Sequence, residues 1–464
     1  MTDTLISDDN QSERSDWSDQ DSEDDDAFAA VLSTIDMTQL PQLSKSVRHK
    51  IDPQYDGEEP VVGDSIHGSY HILFPLFFSG DVCWLVKIPA NGTEEKWDDL
   101  SANALIAEAN TMRLLKRDTT IPLPEVFDFS STTDNSLRCP YIMMSFVTGK
   151  SLYDVWFSHR LHNDSVENVL MHRKKALTGI ANAMAQLEKF AFDQGGSIIF
   201  DAAGNPSEIG PARSVDQRAM LDRWFIDHDP SEDTIYVENP VLNYPNTYYL
   251  FPLYLHLEKH IFPRGVCKLL RQLISWIPEP ECERPFVLAH SDFDIQNFIV
   301  ADDGELLAII DWDGIAAVPR SVGNERYPGW LTRDWDPAMY AFDASMNEGV
   351  EPEGVWEDSP AELARCRALY RSLMKRIQEE RGSSSDVDVT RMSLIAENLA
   401  IAAHDPRCRN DILMKLVTEI SNLSPDAVQL DFMDLVNMFA EDKVDQEVMR
   451  TLRGGFENLL KENL

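Results

Sequence analysis

The chain is poor in positive charge and has no closely spaced cysteine pair, no fixed-period repeat and no long apolar run. Lys and Arg number 41 against 79 acids, a formal net charge of −38 over 464 residues. Nucleic-acid binding needs basic surface to displace counterions, so a nucleic-acid partner is disfavoured and none is expected. No apolar run approaches the roughly eighteen residues that span a bilayer, and no membrane partner is expected. The six cysteines, at 83, 139, 267, 282, 366 and 408, contain no C-x-x-C pair. That scatter points to reduced thiols in a cytoplasmic protein, not to a disulfide frame or a zinc site. The acidic N-terminus resembles neither a secretory signal nor a mitochondrial presequence.

What is present is enough for two or three domains or lobes, with 43% hydrophobic residues. Residues 1–26 hold eleven acids against Arg14, a net −10 that leaves −28 for the rest. Residues 1–27 are expected to be disordered, and 1–55 as a whole read as an acidic disordered tail and lead-in. Apolar runs at Tyr70–Phe78 and Val82–Ile88 flank Ser79-Gly80-Asp81, which is hairpin chemistry. A helix is predicted from about Asp98 to Lys116, ending before the extended Ile121-Pro122-Leu123-Pro124. A strand follows at Tyr141–Val147. Residues 56–147 therefore form a small antiparallel-sheet lobe with one helix.

Beyond Gly149 the chain reads as mainly helical. Leu177, Ile180, Met184 and Leu187 follow the spacing of a buried helix face. Residues 201–250, rich in Pro, Asp and Asn, read as an irregular insertion. Helical periodicity returns near 258–277, 361–380, 390–404, 410–422 and 431–461. The expected class is α+β: a small sheet lobe and a larger, mainly helical lobe over 148–464.

The chemistry concentrates in His290-Ser291-Asp292-Phe293-Asp294-Ile295-Gln296-Asn297 and in Asp311-Trp312-Asp313. Two apolar runs, Phe298-Ile299-Val300 and Leu306–Ile310, are joined by Asp302-Asp303-Gly304-Glu305, a strong turn signal. Folding back on that turn would bring Asn297 and Asp311 to one end of a hairpin. Both carry hard oxygens suited to Mg2+. Asp292 would lie beside them, placed to accept the proton of an attacking hydroxyl. Elsewhere, Lys87 is the one charge in the apolar run Val82–Ile88. Glu108 falls on the apolar face defined by Leu105, Met112 and Leu115. Buried charges need partners, and these two can satisfy each other.

These motifs resemble the aminoglycoside phosphotransferase and choline kinase-like superfamily, in particular its large fungal group, over roughly residues 60 to 335. The resemblance implies a bilobal protein-kinase-like fold and ATP- and Mg2+-dependent phosphorylation of a small-molecule hydroxyl. By it, Asp292 matches the catalytic base, Asn297 and Asp311 the metal ligands, and His290 the scaffold of the loop. Lys87 and Glu108 match the pair that positions the nucleotide phosphates. Gly68 and Ser69 fall where a turn covers phosphates, although G-x-G-x-x-G is missing. Ser145, Phe146 and Val147 match the segment that meets adenine through its backbone.

Two departures bear on the acceptor. Asp294 stands where such enzymes carry a cationic or imidazole side chain, so it could serve a cationic acceptor, join the metal shell or face water. Asp313 replaces the glycine of Asp-Phe-Gly, implying a fixed loop. Asp334, Trp335 and Asp336 are further candidates for holding an ammonium group. An alternative to the enzyme is a kinase-like nucleotide-binding scaffold.

Overall fold

The paired apolar runs and the turn chemistry of the first half dictate a sheet. In the computed structural model, residues 28–222, 235–255, 258–280, 282–382, 387–423 and 429–462 are described. Strands β1 (Val61–Val62), β2 (Ile66–His67), β3 (His71–Phe78), β4 (Val82–Pro89), β5 (Val126–Ser130) and β6 (Tyr141–Ser145) form an antiparallel sheet. The order is β1-β3-β4-β6-β5, with β2 also paired to β3. The β3–β4 turn closes through left-handed backbone at Gly80 (φ 79°) and Asp81 (φ 57°), conformations that Gly and Asp tolerate best. Helix α2 (Asp99–Asp118) follows, its first turn capped by Asp98 accepting from Ser101 N–H at 2.7 Å.

The lead-in is more structured than its neighbourhood in the sequence implied. Residues 1–27 lie outside the described residues. Residues 28–34 are helical, as is α1 (Leu40–Ile51). Phe28, Val31, Ile35, Leu40 and Val47 are buried with Ile72, Phe74, Leu76 and Trp84 in one core. Phe28 and Val31 share one face of the first helix, and Leu40 and Val47 share one face of α1, so burial overrides the acidic context. The expectation of an unstructured lead-in is thus corrected for residues 28–51.

The chain divides into two compact units, one comprising residues up to Ala109 with Glu125–Phe146, the other Asn110–Pro124 with Val147–Leu464. In the second unit, β7 (Lys150–Ser151) pairs with a hairpin described below. Helix α3 (Val166–Met184) buries Leu177, Ile180 and Met184. Strand β8 (Ala191–Phe192) precedes the insertion, of which residues 223–234 lie outside the described residues. Two antiparallel pairs stand at its start and within its described part, β9 (Ser197–Phe200) with β10 (Pro206–Gly210) and β11 (Ala212–Val215) with β12 (Tyr236–Asn239). The expectation of an irregular segment is corrected for β10, β11 and β12, where Pro206 opens one strand and Asn239 closes another.

Helix α4 (Ile261–Ile274) leads to β13 (Phe286–Ala289), the centre of the order β16-β13-β8, where β16 is Ala316–Pro319. Strands β14 (Phe298–Val300) and β15 (Leu306–Ile309) complete the order β15-β14-β7. Five helices follow: α5 (Pro360–Glu380), α6 (Val389–His404), α7 (Pro406–Asn422), α8 (Phe432–Ala440) and α9 (Gln446–Leu459). A sheet unit and a mainly helical unit make the bilobal kinase-like α+β fold. No helix among the described residues is long and apolar enough to cross a membrane.

Candidate active site

Strand β13 is fully buried and ends at Ala289, so the polar loop that follows starts from a rigid base. Phe298 pairs with Ile309 across the β14–β15 hairpin, and Ile310 N–H donates to the Asn297 carbonyl at 2.9 Å. Asn297 and Asp311 are therefore neighbours at the open end of the hairpin. At its closed end Gly304 adopts φ 80°, and a Cβ there would lie 2.4 Å from the His172 carbonyl oxygen. Only glycine fits that turn.

Two residues of the predicted centre, Asn297 and Asp292, are directly linked. Asn297 is buried, and its Nδ2 donates to the Asp292 carbonyl at 2.8 Å and to Asp292 Oδ2 at 2.7 Å. With both amide hydrogens engaged, Oδ1 is the atom this side chain offers to a hard cation. Gln296 Nε2 donates to the same Asp292 oxygen at 3.0 Å. Burial raises the Asp292 carboxyl above the usual range, and the negative charges of Asp294 and Asp311 add to it. The donations from Asn297 and Gln296 oppose that rise.

Asp311 has left-handed backbone, φ 56°. Strain of this kind in a non-glycine residue persists only where the surroundings impose it. Here they do. Trp312 is fully buried and its Nε1 donates to the Ile309 carbonyl at 2.9 Å. His290 packs edge-on against Trp312, with centroids 4.7 Å apart, and its Nε2 bonds the Ile310 carbonyl at 2.9 Å. Burial pushes the His290 imidazole down to about 4, so it is neutral at physiological pH and a scaffold, not a proton carrier. Ser291 Oγ donates to the Asp313 carbonyl and ties the two loops together.

Asp294 does not face water, and its charge is neutralised. It accepts from Ile295 N–H at 2.6 Å, capping the short turn Ile295–Asn297, and meets Arg333 at 3.1 Å. Arg333 also pairs with Glu357 at 3.0 Å. The ammonium-binding candidates are likewise committed to packing. Asp334 is held by Arg367 at 2.7 Å, Trp335 is buried beneath the Lys415 ammonium, and Asp336 is buried. Their partners come from helices distant in sequence, so they form structure instead of a cation box.

In the sheet unit, Lys87 Nζ lies 2.8 Å from Glu108 Oε1, with side chains only 7% and 4% exposed. Lys87 sits on β4 between Leu73 of β3 and Ile142 of β6, flanked by a strand on each side. Gly68 and Ser69 form the tip of the β2–β3 turn, where Gly68 N–H donates to the His71 carbonyl at 2.9 Å. At the end of β6, Ser145 N–H is bound to the Glu125 carbonyl at 2.9 Å and Phe146 N–H to the Cys83 carbonyl at 3.1 Å. Val147 begins the stretch that enters the second unit.

Sequence reasoning missed three arginines. Arg326 Nη2 donates to the carbonyls of His290 at 2.9 Å and Ser291 at 3.3 Å, while Nη1 pairs with Glu397 of α6. Arg333 neutralises Asp294. Arg213, from β11, pairs with Asp313 at 3.0 Å. No sequence signal singled them out, since Arg326 directly follows Glu325 and reads as part of an ordinary charged pair.

A family model described as "Phosphotransferase enzyme family" matches residues 83–320, which contain Lys87, Glu108, Asp292, Asn297 and Asp311. A Kluyveromyces lactis protein named altered inheritance of mitochondria protein 9, mitochondrial, is 21% identical over 72% of this chain and 60% of its own length. A subtelomeric hrmA-associated cluster protein of Aspergillus fumigatus is 22% identical over 57% of this chain and 59% of its own. The chain thus spans about 60% of the length of these curated relatives. A thermostable mutant of an aminoglycoside phosphotransferase, solved with AMP-PNP and hygromycin B, is 14% identical, covers 90% of this chain and 97% of its own, and has a TM-score of 0.39.

Proposed function

Because the chain belongs to the phosphotransferase enzyme family, we propose that it transfers the γ-phosphoryl group of ATP to a hydroxyl of a small molecule. The observation that carries this reading is the Asn297–Asp292 link at 2.7 Å, one residue pairing away from Asp311. It fixes a base and two hard-oxygen donors on one rigid hairpin end.

In this reading Asp292 accepts the hydrogen bond of the acceptor hydroxyl and takes its proton as the oxygen attacks phosphorus. The bond from phosphorus to the ADP oxygen breaks as the new one forms. Desolvation and neighbouring acids raise the Asp292 carboxyl, which makes it a better base than an unperturbed carboxylate. Asn297 and Asp311 would hold Mg2+, which supplies charge stabilisation to the phosphates when bound. An amide oxygen and one carboxylate suit Mg2+, which keeps water and phosphate ligands of its own. No group of three or more His, Cys, Asp or Glu among the described residues offers an alternative protein cage. Lys87, held by Glu108, would orient the α- and β-phosphates. Ser145 and Phe146 have their N–H groups engaged, so the adenine contact falls to Val147 and to carbonyls of that stretch.

The pairing of Asp294 and Asp334 with arginines favours no cationic acceptor over a neutral one. Six free thiols suit a reducing compartment, and we place the protein in the cytoplasm, to be checked by fractionation against mitochondria. The decisive experiment measures ADP release over a panel of alcohols, amino alcohols and sugars, with Asp292→Asn as control. Turnover that Asp292→Asn abolishes supports the enzyme. Mg-ATP binding lost in Asp311→Ala, without turnover on any compound, would favour a nucleotide-binding scaffold. Binding indifferent to Asp311→Ala and Lys87→Ala would remove the site.

A further inference from the structure

The insertion hairpin β11–β12 uses its two faces differently. Alternation along the paired strands puts Arg213 and Tyr236 on one side and Ser214, Val237 and Asn239 on the other. On the first side the Arg213 guanidinium lies 4.2 Å from the Tyr236 ring centre and 3.0 Å from Asp313, beside the catalytic loop. The second side turns away from that centre and walls a cleft of about 490 Å³, its open mouth included. Cys267 of α4, His404 at the end of α6 and Arg409 of α7 line the same cleft, with Gln217, Arg218 and Glu258.

The polar groups of this cleft are incompletely matched. Glu258 Oε1 is shared by two guanidiniums, Arg218 at 3.2 Å and Arg409 at 3.6 Å. Arg409 commits Nε and Nη2 to the carbonyls that end α6, Ala402 at 2.7 Å and Ala403 at 3.1 Å. Its Nη1 meets the distant Glu258 oxygen and the Cys267 sulfur at 3.7 Å, neither a good acceptor at that range. Ser214 Oγ accepts from Asn239 Nδ2 at 2.9 Å, which leaves its own hydrogen to donate. Gln217 Oε1 is a buried acceptor with no partner among the described residues. Under-used donors and an unmet acceptor in one cleft are matched by a ligand carrying the complementary atoms. The formal charges of the lining cancel, Arg218 and Arg409 against Asp216 and Glu258. Asp216 is engaged in capping, accepting from the Arg218 and Ala219 N–H groups at 3.0 and 3.2 Å. Burial holds the His404 imidazole below its ordinary range and so neutral. Val215, Val237, Leu253 and Pro406 supply apolar wall.

We propose that this cleft is a second small-molecule site, separate from the reacting centre, for a compact carboxylate carrying a neighbouring hydrogen-bond donor, of the amino-acid or hydroxy-acid kind. The carboxylate takes the outer nitrogens of Arg409 and Arg218 and the Ser214 hydroxyl, since guanidinium groups suit a planar anion. The ammonium or hydroxyl donates to Gln217 Oε1, and a short aliphatic side chain meets the apolar wall. A phosphate dianion would carry excess charge into a lining that sums to zero. The proposal goes beyond the phosphotransferase reading and does not rest on it, because Asp292, Asn297 and Asp311 do not line this cleft.

The test is isothermal titration of the full chain with L-alanine, L-lactate, acetate and inorganic phosphate. Alanine or lactate is expected to bind at one site per chain, and the tighter of the two identifies the donor as ammonium or hydroxyl. Acetate lacks the donor and should bind roughly tenfold more weakly. Gln217→Met should bring alanine and lactate down to the level of acetate. Arg409→Gln should weaken binding about tenfold or more. Arg218→Met, at a side chain 39% exposed, is expected to weaken it likewise and serves if Arg409→Gln does not fold. Asp292→Asn should bind as the wild type does, because the reacting centre faces the other side of the hairpin. Saturable binding of neither alanine nor lactate would overturn the proposal, as would a preference for phosphate over both. So would wild-type affinity in folded Arg409→Gln, or in Arg218→Met where the first variant does not fold, or loss of binding in Asp292→Asn.

Discussion

Asn297 donates to Asp292 twice, through the main-chain oxygen at 2.8 Å and the carboxylate Oδ2 at 2.7 Å. The first bond shapes the loop, and the second fixes the orientation of the base. In the proposed reading one side chain would couple metal ligation to proton acceptance, since the same amide presents its oxygen elsewhere. The Asp292 carboxyl is held between two influences, partial desolvation and neighbouring acids raising it, amide donors lowering it.

Removing one influence moves the balance in a known direction. Asn297→Ala deletes a donor to the charged form, so the Asp292 carboxyl rises further. The acid limb of the rate profile should move to higher pH, seen as ADP release measured from pH 5 to 9. Asp292→Asn should lower the rate by roughly 10²- to 10⁴-fold at every pH, the usual contribution of a general base. An unchanged acid limb in Asn297→Ala would assign that limb to another group.

The Lys87–Glu108 pair makes a stability prediction that separates pairing from charge. Both side chains are buried, so deleting one leaves the other uncompensated at a cost of about 3–5 kcal/mol. Lys87→Met and Glu108→Leu should each lower the urea midpoint substantially. The double variant should recover most of the loss, because two apolar groups of similar length fill the space. Nucleotide binding should stay lost in all three, read by thermal shift with Mg-ATP. Additive losses in the double variant would contradict a coupled pair.

Arg326 is the structural counterpart of that pair in the second unit. Its guanidinium binds the His290 and Ser291 carbonyls and faces Glu397, so loop and α6 share one buried cation. Arg326→Met strands a carboxylate and two carbonyls, and destabilisation of about 2–5 kcal/mol is expected. Arg326→Met with Glu397→Leu should regain stability but not a well-placed Asp292. Activity below about one tenth of wild type in a stable double variant is the expected outcome. Full activity there would reduce Arg326 to a packing residue.

The site was readable where its parts are close in sequence. His290 to Asp313 is one strand, one loop and one hairpin, and turn chemistry at Asp303-Gly304 sets which ends meet. Lys87 and Glu108 are 21 positions apart, and each announced itself as a charge in an apolar pattern. The arginines were not readable, because their partners lie 36, 39 and 100 positions away and are chosen by packing. Asp294 and Asp334 consequently looked available when they are paired. The helices of residues 28–51 were obscured differently. Their apolar spacing was present, but the acidic segment before them set the expectation, and burial against β3 and β4 decides the outcome.

A last prediction concerns an acid outside the site. Glu325 is buried, with Gln378 donating to it, and burial aided by Glu188 raises its carboxyl to about 7. Glu279, bound by Ser321, is likewise raised by burial to about 7. A carboxyl whose folded pKa exceeds its unfolded value of about 4.3 favours the fold while both states are protonated. Its contribution is complete below that value. It is lost as pH rises toward 7, because the unfolded chain ionises first. Each group therefore takes up to about 1.4 kcal/mol per pH unit from stability across that window, and nothing further above it. Urea midpoints of wild type and Glu325→Gln, measured at half-unit steps from pH 4.5 to 8, should diverge below pH 7 and run parallel above it. The difference isolates Glu325 from every other carboxylate in this acidic chain, and parallel curves throughout would mean that it ionises normally in the fold.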